Sequence, residues 1–114
     1  MKFLITENKI EKLIFSYLDN KNFIVKETIN GYYIFENEGD KYAQIMIRTS
    51  DMTCFIHFRL TKEIESFFSI NFYQSEKVLK RFITKILNIE VHNVRNAPDD
   101  AIILSIPRQY LNIS

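Results

Sequence analysis

Two runs of alternating residues constrain this chain more than any other feature: residues 42–48 and 54–60, joined by a short polar turn. A strand points successive side chains to opposite faces, so a period of two with apolar residues in one set marks a strand with one buried face. Ala43, Ile45 and Ile47 form that set in the first run. Cys54, Ile56, Phe58 and Leu60 form it in the second when the turn centres on Ser50 and Asp51. In this register Met46 lies opposite Phe55, Gln44 opposite His57 and Tyr42 opposite Arg59, all on the other face. The rest of the chain must then cover the apolar set, and Phe58→Ala should cost more stability than Phe55→Ala.

Upstream, residues 1–5 read as a short strand or a lead-in. Thr6 is a favoured helix N-cap, and Glu7 follows where the helix dipole favours negative charge. Ile10, Leu13, Ile14, Tyr17 and Leu18 recur as one helical face, and residues 19–22 end the helix. Residues 23–28 and 32–37 form a second hairpin. A two-residue Asn30-Gly31 turn would mix apolar and charged residues on both faces. A three-residue loop with Gly31 left-handed pairs Thr28 with Tyr32 and gathers Phe23, Val25, Tyr33 and Phe35 on one side, which is the preferred register. A turn at residues 38–40 then brings Phe35 near Ala43 and Tyr33 near Ile45, with Tyr32 and Ile34 on the Met46 side.

Downstream, Thr61 can cap a short helix carrying Ile64, Phe67 and Phe68. After a break at residues 69–74, Ser75 opens a long helix with the stripe Val78, Leu79, Phe82, Ile83, Ile86 and Leu87, ending near Asn88. Residues 90–94 alternate weakly as a strand, and residues 96–100 form a loop. Residues 101–106 are apolar enough for a strand that Pro107 stops or marks as an edge. The expected fold is α+β. It has an N-terminal helix, a four-stranded antiparallel meander, one short and one long helix, and one or two C-terminal strands, with the helices on one face of the sheet. A chain of 114 residues fits a single domain, 1–114, and 46% hydrophobic residues supply a core.

Two stretches carry a resemblance. Residues 1–19, MKFLITENKIEKLIFSYLD, resemble the opening of small uncharacterised proteins of tailed, marine-type bacteriophages: Met-Lys, a few apolar residues, Thr, Glu, then a helix ending in Tyr-Leu-Asp. Within residues 60–94, the run Glu63-Ile64-Glu65-Ser66-Phe67-Phe68-Ser69-Ile70 resembles the Glu-Ile-Ser-Ser-Phe-Phe-Ser run of that group, and Val91-His92-Asn93 resembles its Val-x-Asn strand. The resemblance implies a phage setting but no activity, and it transfers no functional residue.

The catalytic inventory is thin. His57 and His92 are far apart in sequence and neither has metal-ligand spacing. Cys54 is the one cysteine, which excludes an intrachain disulfide; its place on the apolar side of a strand reads as a buried, inert thiol. The Asp99-Asp100 pair and the acidic residues 36–40 sit in expected polar turns. The two glycines, Gly31 and Gly39, serve turns rather than a phosphate loop. No enzyme, metal or cofactor is expected. No apolar run approaches the roughly 20 residues of a membrane helix, so the expected location is the cytoplasm, or a virion assembled there.

Two surfaces remain as binding candidates. The outer sheet face would present Tyr32, Tyr42, Met46, Phe55, His57 and Arg59, an aromatic and basic set suited to a protein partner or self-association. The back of the long helix would present Lys77, Lys80, Arg81 and Lys85, suited to phosphate contacts. The leading expectation is a non-catalytic protein-interaction module, a virion component or a binder of a host factor. The alternative is a nucleic-acid-binding module using the basic helix face. A +1 net charge gives neither a global field.

Overall fold

A computed structural model describes residues 2–98 and 101–110, with side chains described from residue 9 onward. The Asp99-Asp100 pair lies outside the described residues. Helix α1 spans Lys2–Asp19 and is followed by strands β1 (Ile24–Thr28), β2 (Gly31–Phe35), β3 (Ile45–Arg48) and β4 (Thr53–His57). Helices α2 (Phe58–Phe68) and α3 (Phe72–Leu87) lead to β5 (Asn93–Ala97), and 3₁₀ turns occupy Ile102–Leu104 and Arg108–Tyr110. The sheet order is β1-β2-β3-β4-β5. The first four strands form an antiparallel meander, and β5 pairs with β4 in parallel. Parallel pairing needs a long crossover, and the α2–α3 pair supplies it. The class is α+β with a mixed sheet.

The central hairpin follows the sequence expectation. Ile45 pairs with Ile56, Met46 with Phe55, and Ile47 with Cys54. The turn is closed by Asp51, whose carboxylate takes two hydrogen bonds from Arg48 (3.1 and 2.8 Å) and a third from the Thr53 N–H (3.2 Å). Its second strand is shorter than expected. The chain turns helical at Phe58, so Arg59 and Leu60 belong to α2 and Tyr42 has no strand partner there. His57, not Thr61, is the cap: its Nδ1 accepts the Arg59 N–H at 3.1 Å. Thr61 is instead buried inside the helix and donates to Asn96 of β5 at 2.9 Å.

The first hairpin differs from the expectation. Thr28 pairs with Gly31, and Ile29-Asn30 form a two-residue turn. This shifts the β1–β2 pairing by one residue. A separate one-residue shift of the β2–β3 register, which sets Ile34 rather than Tyr33 opposite Ile45, inverts the faces of β2 relative to the expected core. Tyr32 and Ile34 join Ile45, Ile47, Cys54 and Ile56 beneath the helices, whereas Tyr33 and Phe35 join Met46 on the opposite face. Gly31 is needed for close approach: a Cβ there would overlap the backbone carbonyl oxygen of Ile47 in β3. Because backbone rather than a flexible side chain stands in the way, Gly31→Ala should cost about 3 kcal/mol, the upper end for overpacking. Chemical denaturation against wild type checks this.

Both sheet faces are covered. On one, Ile14 and Leu18 of α1, Leu60 and Ile64 of α2, and Val78, Leu79, Phe82 and Ile83 of α3 pack on the strand isoleucines. On the other, Leu104 is fully buried against Tyr33, Phe35, Ala43, Met46 and Ala97, with Ala101, Ile103 and Ile106 at its sides. The Ala43 N–H donates to the Leu104 carbonyl at 2.7 Å. Residues 101–106 are therefore a strap over the second face rather than a strand. Ala43 lies on the strap side and Phe58 is half-buried at the start of α2, so neither belongs to the helix-covered set. Phe58 and Phe55 are both half-buried, which removes the expected contrast between their alanine variants.

Two helix boundaries have local causes. Helix α1 begins at Lys2, so residues 2–5 are helical and Thr6 lies inside the helix, not at its cap. Helix α3 begins three residues before Ser75 because Asn71 and Gln74 form a capping box: the Gln74 N–H donates to Asn71 Oδ1 (2.8 Å) and the Asn71 N–H to Gln74 Oε1 (3.0 Å). Asn88 ends α3 in the left-handed conformation that asparagine tolerates.

Candidate nucleic-acid interface

The six residues expected on the outer sheet face do not form one surface. Met46 is fully buried and His57 is 5% exposed. Tyr32 packs beneath the helices, while Tyr42 and Phe55 are half-buried at the edges of the strap-covered core. Arg59 is exposed on α2. The cations over these rings come from their own hairpins: Lys41 over Tyr42 at 5.3 Å and Arg48 over Phe55 at 5.1 Å.

The basic residues of α3 do come together. Lys77, Arg81 and Lys85 repeat at i, i+4 and i+8, with Lys80 beside them, so the helix turns all four to one side. They line an open groove of about 750 Å³ between α3, α1 and the entry to β5. Glu11 and Phe15 come from α1; His92, Asn93 and Val94 come from the chain entering β5. The opposite stripe of α3 is buried, and this fixes the helix rotation: Val78, Leu79, Phe82 and Ile83 are at most 6% exposed.

Two ring–cation pairs mark the ends of the groove. The Lys77 ammonium lies 5.3 Å from the Tyr73 ring centroid, and the Lys85 ammonium lies 5.3 Å from that of Phe15. Phe15 is held edge-on against buried Phe82, with centroids 5.7 Å apart. Tyr73 stands 65% exposed on the first turn of α3. The groove also contains two carboxylates, and both are engaged. Glu11 accepts from Arg81 Nε at 2.5 Å, and Glu76 accepts from the Asn96 side-chain amide. Among the described residues, Lys77, Lys80 and Lys85 enter no ion pair. The groove therefore carries a positive excess within a chain of +1 net charge.

Beneath α3, burial and the Glu76 charge push the Cys54 thiol up to about 12, with Lys80 pulling the other way. A raised value means that the folded state holds the proton more tightly. Its contribution is fully present below the ordinary thiol value of about 8.5 and is lost as pH rises through the folded value. Stability should therefore fall from about pH 8.5 upward with a component that Cys54→Ala removes. Urea titrations of both proteins across alkaline pH check this.

Sequence reasoning located the cations but missed Tyr73, Phe15, Glu11 and His92 as their neighbours. The Tyr73–Lys77 pair had a readable signal in its i, i+4 spacing. Phe15 and Glu11 reach the groove only through the docking of α1 on α3, for which no local pattern exists. Comparison with models of protein families, with curated proteins and with solved structures found no match to this chain. Among the described residues, no helix is long and apolar enough to cross a membrane.

Proposed function

We propose that this chain is a non-catalytic binding module whose ligand is a nucleic acid held by the basic face of α3. The observation that carries the reading is the convergence of Lys77, Lys80, Arg81 and Lys85 with two aromatic rings in one open groove. Cations supply the phosphate term of nucleic-acid affinity, and rings supply a base-tolerant stacking term. The competing sheet face is covered by residues 101–106, which favours the helix face. The test is binding of a labelled oligonucleotide across a salt series. With three to four cations engaged, the slope of log affinity against log salt should be about −2 to −3 for a single strand. Salt-independent binding, or none at low salt, removes the reading.

A protein partner is a second reading, favoured by one apolar patch. Leu13 of α1 and Phe67 of α2 are 60% and 65% exposed, and Tyr17 packs on Phe67 with centroids 4.8 Å apart. Together with the likeness of residues 1–19 and 60–94 to small phage proteins, the patch supports a virion or host-factor contact. Light scattering of wild type and Phe67→Ser tests self-association there: an oligomer lost in the variant supports it, and a monomer throughout removes it.

A further inference from the structure

Building on the nucleic-acid reading of the α3 groove, we infer that its ligand is single-stranded, seated with bases against Tyr73 at one end and Phe15 at the other. Each ring carries an ammonium over one face, Lys77 on Tyr73 and Lys85 on Phe15. A phosphate-pairing charge is thus fixed at each ring, and a base would stack on the ring's other face or replace the ammonium there. Lys80 and Arg81 lie between the two pairs along α3. A duplex buries its base faces in its own stack, so only a single strand can use the rings. An exposed tyrosine at the mouth of a charged groove has no role in folding that burial would explain: Tyr73 is 65% exposed, whereas the Phe82 ring on the same helix is 2% exposed.

The spacing sets a site size. From Tyr73 to Lys85 the helix rises about 18 Å at 1.5 Å per residue. A stacked strand advances 3.4 Å per nucleotide, so the groove spans about five nucleotides, and fewer if the strand is extended.

The experiment measures fluorescence anisotropy of the intact chain with oligo-dT of two to twelve nucleotides, oligo-U, a duplex of equal length, and heparin as a polyanion without bases. Wild type is compared with Tyr73→Leu, whose fold is verified by circular dichroism. Affinity for oligo-dT should climb until about five nucleotides and then level. Tyr73→Leu should weaken oligo-dT about fivefold or more, leave heparin unchanged and leave the salt slope intact. Stronger binding of oligo-U than oligo-dT assigns the strand to RNA; the reverse assigns it to DNA, and either supports the inference. Duplex binding as tight as single-strand binding, or equal oligo-dT affinity in Tyr73→Leu, overturns the inference while leaving the basic-groove reading standing. Failure of every polyanion to bind overturns both.

Discussion

Phe82→Ala is expected to remove about 3–5 kcal/mol of folding stability, the range for emptying a large aromatic site in a core. Phe82 is 2% exposed and belongs to the main core between the helices and the sheet. It meets Phe15 of α1 edge-on at 5.7 Å and Phe23, just before β1, at 6.3 Å. Deleting the ring therefore opens a cavity where α3, α1 and the start of the sheet meet, and it also forfeits two edge-to-face contacts of about 0.5–1.5 kcal/mol each. A small domain holds only about 5–15 kcal/mol in total, so the variant should lie near its unfolding threshold. Its melting temperature should fall by about 12 °C or more. Phe67→Ala, which truncates a phenylalanine that is 65% exposed but touches Tyr17 and Phe68, is the contrast and should cost only about 1 kcal/mol. Similar losses in the two variants would contradict the assignment of the core. Because Phe15 rests on Phe82 and carries Lys85, the same cavity should also blur one end of the groove.

Reversing two charges, Lys80→Glu with Arg81→Glu, is expected to abolish nucleic-acid binding without unfolding the chain. Charge-assisted hydrogen bonds contribute about 1.5–3 kcal/mol each, so two lost contacts amount to an affinity loss of about 100-fold or more. The new carboxylates add repulsion to that figure. The stability side of the balance is small. Arg81 does lose its ion pair with Glu11, but the two side chains are 51% and 28% exposed, and such pairs contribute at most about 1 kcal/mol. The buried stripe of α3 is untouched. An equal change in net charge elsewhere, Lys41→Glu with Lys62→Glu, controls for the overall field, since both lysines are exposed and neither lines the groove. Equal weakening by both pairs would mean that the groove has no special part in binding.

Local patterns explain which parts of this fold could be read ahead. The α3 stripe was legible from Val78 to Ile83 because helical periodicity is set within the helix, although Ile86, expected in the stripe, is exposed. The β3–β4 register was legible because the Ser50-Asp51 turn and the isoleucine alternation agree. The β1–β2 register was not. Gly31 resembles a turn residue, yet it is the first residue of β2, kept small by the Ile47 carbonyl on the neighbouring strand. That constraint is tertiary. The start of α2 was hidden because Ile56, Phe58 and Leu60 satisfy a period of two while Leu60 and Ile64 satisfy a helical step. A helix leaving a strand directly continues its apolar pattern.

The second core also left a trace that one-sided alternation obscures. Tyr32 to Phe35 and Ile45 to Ile47 are apolar without interruption, as expected of strands buried on both faces. The apolar run 101–106 announced cover but not conformation: as a strap it buries Leu104 and part of Ala101, Ile103 and Ile106, while Ile102 stands exposed. The candidate site divides along the same line. Its cations share one helix and follow from spacing, whereas Phe15, Glu11 and His92 arrive from elements that only the assembled fold brings near.

The most direct measurement is a two-dimensional NMR titration of the labelled chain with a six-nucleotide single strand at low salt. The account predicts that amide shifts concentrate in α3 from Tyr73 to Lys85, around Glu11 and Phe15, and at His92 to Val94, with the strap and the β1–β2 hairpin unmoved. Shifts centred on the Leu13–Phe67 patch or on residues 101–106, with α3 silent, would contradict it.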